Sequence, residues 1–237
     1  MQDCMANAGH DETLNHGMMP MALPATHIRF AVAVADRLSV VDQRAYLSGT
    51  LYPDSRWVTG VDRPKTHSAH CLDPDFPTDD FSLGWHIHCL CDRIQGEIYD
   101  GLLVELSELT PEAGWIHISA AKVVQDMNDA AHGDIGAYLA MLTHAHTPNG
   151  ESGDQVAAYL GYVRRTYSRR TVPDWADYDR LWTDVGLERL RIDRIEQQVQ
   201  RILADAARVD ELNHAFDRMV ANWSGGWAAS APKEQHS

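Results

Sequence analysis

Apolar side chains recur at helical spacing along most of this chain, and that period constrains the fold more than any other feature. Over residues 26–49 apolar residues follow one another at intervals of three and four, and similar spacing returns over 81–103, 115–143 and 154–167. Such spacing places apolar side chains on one face of a helix. Alternating runs of β-branched residues with hairpin turns, the pattern of strands, do not occur in the sequence. The sequence therefore predicts an all-α fold.

The helices are predicted to form one bundle in a single domain. The chain has 237 residues, of which 44% are hydrophobic, enough to bury one substantial core. No linker rich in Ser, Gly and Pro divides it. Residues 1–23 lack a helical period, and we expect them and residues 223–237 to be flexible tails around a helical metal-binding domain over 24–222.

Two polar residues are predicted to start helical segments. Thr26 has the character of an N-cap for the first helix, which Gly49 would end. Asp62 precedes Arg63 and Pro64 and could cap a short turn that presents His67.

The C-terminal part of the sequence predicts one long helix over residues 184–223. Its apolar positions follow an alternating four-and-three rhythm, which is typical of a helix that packs along another helix. The partner could belong to the same bundle, which we favour, or to a second copy in a homodimer. The positions in this stripe are Ile195, Val199, Ile202, Ala206, Val209, Phe216 and Val220.

Charge and composition exclude several classes of protein. The formal net charge of −14 disfavours binding along an extended nucleic acid, because the phosphates would meet a repelling field. No stretch approaches the roughly 20 apolar residues of a membrane span, and no signal peptide is visible, so we expect a cytoplasmic protein. The four cysteines lack the spacing of a disulfide scaffold and are expected to be reduced.

The region 49–92 contains a candidate metal site. His88 and Asp92 lie four residues apart on a predicted helix, so their side chains point toward one spot from successive turns. Asp54 and His67 would come from the preceding loop and short helix. This mixture of nitrogen and oxygen ligands suits zinc, manganese, iron or nickel better than calcium. A divalent transition metal, with zinc as the first choice, is therefore the expected cofactor.

The same region resembles the bacterial zinc-dependent phospholipase C family, whose members are all-α phosphodiesterases. The resemblance covers about the first 100 residues and implies that His27, Asp54, His67, His88 and Asp92 all ligate metal. It rests on the order of an early His27 on a helix, Gly49-x-x-x-Pro53-Asp54, Thr66-His67, and Phe81-x-x-Gly84-x-x-x-His88-x-x-x-Asp92.

The sequence also departs from that family. It has no tryptophan before His27 to act as an N-terminal ligand, and no later His-x-x-x-Glu between residues 92 and 106. A mononuclear or dinuclear site is therefore the more economical expectation, completed by Asp126 or by His132 on the third helix. A weaker similarity to the HD-domain phosphohydrolases rests on the order of His67, His88 with Asp92, and Asp126, although a His-Asp dyad is missing.

These ligand types predict metal-assisted hydrolysis of a phosphoric ester. A divalent cation held by imidazoles and carboxylates lowers the pKa of bound water toward neutrality. The expected catalytic residues are His88, Asp92 and Asp54, and Arg56 and Arg63 are placed in the sequence to bind the phosphate of a small substrate. The alternative is a non-catalytic helical protein. Its function would be to hold a structural metal through the same residues, or to mediate assembly.

Overall fold

The protein consists of α-helices joined by short turns. The computed structural model describes residues 23–103, 109–143 and 146–227, with the backbone alone over 224–227. No strand occurs among these residues, which confirms the all-α fold and the single-domain bundle. The helices are α1 (Pro24–Ala35), α2 (Gln43–Leu51), α3 (Arg56–Thr59), α4 (Arg63–Thr66), α5 (Asp80–Leu102), α6 (Pro111–Ala131), α7 (Ile135–Met141), α8 (Gly153–Ser168), α9 (Trp175–Asp184), α10 (Arg189–Leu203), α11 (Ala206–Asn213) and α12 (Ala215–Trp227), with 3-10 helices at Tyr52–Ser55 and Ala69–Leu72.

The closest contact between helices is the crossing of α2 and α5, where two glycines face the opposing backbone. A Cβ atom at Gly84 would lie 1.9 Å from the carbonyl oxygen of Tyr46, and one at Gly49 would lie 1.9 Å from that of Phe81. Any larger residue at either position would force the two helices apart. The crossing therefore fixes the position of α5 along its axis relative to the chain that follows α2.

The other helices complete one core around α5. Helix α1 packs against α6, α2, α12 and α5, and α6 also packs against α10 and α11. Helix α8 contacts α3, α7, α9 and the 3-10 helix Tyr52–Ser55. None of the helices in the described part of the chain is both long and apolar enough to cross a membrane.

Helices α5 and α8 lie where the periodicity predicts them, but the predicted first helix is wrong in two respects. It is divided into α1 and α2, because the carboxylate of Asp42 accepts hydrogen bonds from the amides of Arg44 and Ala45 and so starts a new helix. Its start is also earlier than Thr26. Pro24 occupies the first turn of α1, and Leu23 is the N-cap residue.

Two other predicted helices are also divided. The segment 115–143 is broken near Gly133, after which Asp134 caps α7. The continuous helix predicted over 184–223 is replaced by α10, α11 and α12, and Asp205 caps α11.

The C-terminal helices pack against other helices of the same chain. The buried face of α10 packs on α6, so at least this part of the apolar stripe is used within the same chain. Trp223 is buried and α12 continues to Trp227, so order extends past the boundary expected at residue 222. The rest of the tails predicted over 1–23 and 223–237, residues 1–22 and 228–237, lies outside the described residues.

Candidate metal centre

Five side chains from four elements converge beside the crossing of α2 and α5. His27 lies on α1, Asp54 lies on the 3-10 helix Tyr52–Ser55, and His67 is the C-cap residue of α4. His88 and Asp92 lie on successive turns of α5. These are the five residues that the resemblance implies, and the structure brings all five together.

His67, His88 and Asp92 form the tightest group. The Nε2 atoms of His67 and His88 lie 3.1 Å apart. Asp92 Oδ2 is 3.6 Å from each of these nitrogens. Three ligand atoms at such separations have the spacing found around a single metal ion, because two bonds of about 2.0–2.1 Å at a tetrahedral angle place nitrogens about 3.3 Å apart.

His27 and Asp54 form a second group with His88, so that the two groups share one imidazole. The ring of His27 stacks on that of His88 with 4.0 Å between centroids, and its Nε2 lies 3.7 Å from Asp92 Oδ1. Asp54 Oδ1 lies 3.8 Å from His67 Nε2. Among the described residues, neither ring nitrogen of the buried His27 has a hydrogen-bond partner. A buried imidazole without such a partner is costly unless something else satisfies it.

Hydrogen bonds on the other side of the rings constrain His67 and His88. Nδ1 of His88 lies 2.8 Å from the carbonyl oxygen of Thr50, which can only accept, so neutral His88 carries its proton on Nδ1 and its Nε2 is unprotonated. Nδ1 of His67 lies 2.7 Å from the Thr66 hydroxyl, which also lies 3.2 Å from the carbonyl oxygen of Arg63. When the hydroxyl donates to that carbonyl, Nδ1 of His67 carries the ring proton; when it donates to the ring, Nε2 of His67 carries it.

The Nε2 lone pair of His88 therefore faces Nε2 of His67 across 3.1 Å. In one tautomer of His67, its Nε2–H donates to His88. In the other, two lone pairs face each other, and a cation between them would offset their repulsion. A proton is a poor candidate, because burial, followed by the charge of His88, lowers the pKa of His67 to about 2. Oxygen acceptors behind both imidazoles are the usual support for histidines that bind metal. The donor set therefore fits a divalent transition metal.

The two carboxylates have opposite electrostatic settings. Burial raises the pKa of Asp54 to about 6, although His88 acts against it. Burial also acts to raise the pKa of Asp92, but the Lys122 ammonium and the imidazoles of His88, His27 and His67 outweigh it and hold the pKa below its ordinary value. Asp92 is therefore the more acidic of the two carboxyl groups, and its side chain is 21% exposed, the most open of the five.

Lys122 is a member of the site that sequence reasoning missed. It lies on α6, is 6% exposed, and its Nζ is 3.4 Å from Asp92 Oδ1. The signal in the sequence was a single lysine within the run of Ala120, Ala121, Val123 and Val124, all of them buried. A charge in the middle of an apolar helix face needs a partner of opposite charge.

Arg56 and Arg63 add positive charge next to the cluster. Both arginines act on the pKa of His67, and Arg56 also interacts with Asp54 and Asp92. The guanidinium of Arg56 lies 4.3 Å from the centre of the Trp57 ring, and its Nε is buried without a hydrogen-bond partner among the described residues.

Asp126 does not join the cluster, and this corrects the prediction that it is a sixth ligand. Within the described residues it belongs to neither ligand group. Its Oδ1 accepts from the Thr26 amide at 2.8 Å, and its Oδ2 accepts from the hydroxyls of Tyr167 at 2.5 Å and Tyr178 at 2.8 Å. Asp126 instead satisfies an amide in the first turn of α1 and so holds the backbone next to His27.

Asp129 on the next turn of α6 has a similar structural role. It accepts from the Thr26 hydroxyl at 2.7 Å and from Arg29 at 2.6 Å. Thr26 is therefore held by both aspartates rather than acting as the expected N-cap. His132, the other residue considered on this helix, is exposed and its Nδ1 bonds to the carbonyl of Asn128.

Comparisons of the chain with protein-family models, with curated proteins and with solved structures found no match. The fold and the cluster therefore define the class of this protein: an all-α protein with a buried group of histidines and aspartates that could hold a metal ion.

Proposed function

We propose that this protein is a metal-dependent hydrolase of phosphoric esters, with zinc as the metal. The observation that carries the metal is the convergence of Nε2 of His67 and Nε2 of His88, 3.1 Å apart, next to the Asp92 carboxylate. The resemblance of the ligand order to zinc-dependent phospholipase C supports zinc and a phosphoric ester. Manganese, iron and nickel share the same ligand preferences and remain in the proposal as alternatives.

The catalytic set in this proposal is His88, Asp92 and Asp54. When bound, a divalent ion would lower the pKa of a coordinated water and polarise a phosphoryl oxygen. His88 is oriented by the Thr50 carbonyl, and Asp92 is held between Lys122 and the imidazoles. The partial exposure of Asp92 marks the side from which a substrate would enter.

Three cations lie near the ligands of the proposed metal site. Arg56 and Arg63 follow the ligand Asp54 in the chain, and Lys122 contacts Asp92 directly. Positive charges at such a position would offset the charge that develops on the phosphoryl group during displacement. A small phosphate-containing substrate in the cytoplasm agrees with this setting and with the net charge of −14.

A non-catalytic role for the metal is the second candidate, and burial favours it. His27 and His88 are at most 1% exposed, and the side chains of Asp54 and His67 are 5% and 7% exposed. Structural metal sites are typically closed in this way, whereas catalytic sites keep one position open. The exposure of Asp92 is the feature that favours catalysis.

Metal analysis followed by an ester screen separates these candidates. The purified protein should contain zinc or bind added zinc, and it should hydrolyse a chromogenic phosphodiester or phosphomonoester. His88→Ala should lose the metal and lower turnover by about 100-fold or more, because removing a ligand exceeds the 10–100-fold cost of removing its hydrogen-bonded support. His214→Ala is the matched control, since His214 is exposed, follows α11 and belongs to neither ligand group.

Two outcomes of this experiment would contradict the proposal. Bound metal without turnover of any ester would favour the structural role and overturn the hydrolase. A protein that binds none of the four transition metals would overturn both versions.

A further inference from the structure

Two cysteine thiols meet directly behind the segment that holds His67. The Sγ atoms of Cys71 and Cys89 lie 3.7 and 3.6 Å from the same carbonyl oxygen, that of Thr66. All three described cysteines are free, and Cys71 and Cys89 are buried at 2% and 6% exposure. The proposed hydrolase mechanism uses neither thiol.

Their positions connect the two parts of the candidate metal centre. Cys71 lies in the 3-10 helix Ala69–Leu72, four residues after His67. Cys89 lies on α5, directly after His88 and three residues before Asp92. The Thr66 residue between the thiols also anchors His67 through its hydroxyl. A covalent bond between the sulfurs would therefore tie the segment that bears His67 to the helix that bears the other two ligands of the tight group.

We propose that Cys71 and Cys89 form a reversible disulfide on exposure to a peroxide, and that this bond slows release of the metal. The two S–H bonds break, one S–S bond forms, and the two electrons and two protons reduce hydrogen peroxide to two molecules of water. A thiol reductant reverses the reaction by exchange. The effect on metal release rests on the proposed function, whereas the pairing of the thiols does not.

The surroundings of Cys71 favour its oxidation over that of Cys91. The hydrogen bond from Cys89, more than the one from Ser68, lowers the pKa of the Cys71 thiol to about 6 against the opposing effect of burial. The thiolate is the form that attacks peroxide. This thiol lies close to the surface, because its neighbours in the chain, Ala69, His70 and residues 73–75, are exposed. Cys91 is 1% exposed within the main core, where burial raises the pKa of its thiol.

A disulfide at this position should slow metal release by restricting the apo state. Dissociation of an ion held by His67, His88 and Asp92 requires the ligands to separate, and the bond would close the loop from residue 71 to residue 89 across that separation. Closing a loop of this length reduces the freedom of the open state, and we expect release that is at least about threefold slower.

The test uses the full chain, with and without bound zinc. The protein is treated with hydrogen peroxide, free thiols are alkylated, disulfides are reduced, and the released thiols are labelled with a second reagent and located by mass spectrometry. The second label should appear on Cys71 and Cys89 together and be absent from Cys91. Zinc release to a colorimetric chelator is then timed before oxidation, after oxidation and after reduction, in the wild type, in Cys71→Ser and in Cys91→Ala.

Slower release after oxidation in the wild type and in Cys91→Ala, but not in Cys71→Ser, supports the proposal. Labelling of either cysteine alone, or pairing with Cys91 or Cys4, overturns the pairing. A Cys71–Cys89 disulfide with an unchanged release rate overturns its control of the metal. If the reduced protein holds no zinc, the proposed function fails and metal retention fails with it, while the labelling pattern still decides the pairing on the metal-free protein.

Discussion

At the scale of single residues, the role of each histidine depends on what its second nitrogen contacts. His86 and His88 are two residues apart on α5 and both are buried. Nδ1 of His86 bonds to the carbonyl of Cys71, whereas Nδ1 of His88 bonds to the carbonyl of Thr50 and leaves Nε2 facing His67. Among the described residues, His88 belongs to both ligand groups and His86 to neither.

The raised pKa of Asp126 predicts how the stability of the protein depends on pH. Burial raises its pKa to about 6, above an ordinary value near 4, so the folded protein binds this proton more tightly than the unfolded chain does. Its contribution to stability is therefore complete below about pH 4 and is lost as the pH rises through about 6. Two pKa units correspond to about 3 kcal/mol.

We expect the free energy of unfolding of the wild type, relative to Asp126→Asn, to fall by up to about 3 kcal/mol between pH 4 and pH 7. Urea unfolding at a series of pH values measures this difference, in which the titration of other groups cancels. Asp210→Asn, which changes an exposed carboxylate, is the control substitution. A difference for Asp126→Asn that stays constant with pH would contradict the assignment.

At the scale of helices, the crossing of α2 and α5 links the fold to the site. The Thr50 carbonyl that orients His88 comes from α2, next to Gly49, and His88 lies one turn after Gly84 on α5. Both glycines face opposing backbone rather than side chains, so rotamer changes cannot relieve a clash. The glycines of the motif thus have a packing role, and they set the distance over which the Thr50 carbonyl reaches the imidazole.

Gly84→Ala should destabilise the protein by about 3 kcal/mol, the upper end of the usual cost of overpacking, because its Cβ would meet backbone atoms. The substitution should also weaken zinc binding, since it moves α5 away from Thr50. Gly96→Ala is the matched control on the same helix, with no atom within 4 Å of the added Cβ. The control should be neutral or stabilising by up to about 1 kcal/mol.

Thermal unfolding and zinc titration of the two variants measure both effects. Equal stability for Gly84→Ala and Gly96→Ala would show that the crossing is looser than the structure indicates.

At the scale of the whole molecule, the cluster joins four separate parts of the chain. His27, Asp54, His67 and the pair on α5 belong to elements that otherwise meet through apolar packing. An ion bound by all of them would stabilise the folded state and not the unfolded chain, in which these ligands are dispersed.

Zinc at about 100 times its dissociation constant should therefore add about 2.7 kcal/mol, which corresponds to a rise in Tm of about 5–10 °C for a chain of this size. A chelator should reverse the rise, and His67→Ala should abolish it. Calcium serves as the control ion because it prefers sites made wholly of oxygen ligands. An equal rise in His67→Ala, or with calcium, would argue against this site.

Local pattern was sufficient for the fold class and for part of the site. Helical period predicted α5 and α8 nearly to the residue, since both have strong caps and an unbroken apolar face. The same period placed His88 and Asp92 on one stripe. It did not show where long periodic stretches are divided, because Asp42, Asp134 and Asp205 each start a new helix within a pattern that could have continued.

By itself, then, the sequence determined that the chain is helical and that His88 and Asp92 share one helix face, because both properties depend on neighbours within a few residues. Tertiary structure alone decided which distant groups meet them. Lys122 and Asp126 lie four residues apart on α6, yet Lys122 contacts Asp92 and Asp126 contacts Thr26, Tyr167 and Tyr178. The packing of α6 against α1 and the rest of the core sets these contacts, and they depend on residues up to about a hundred positions away in the chain.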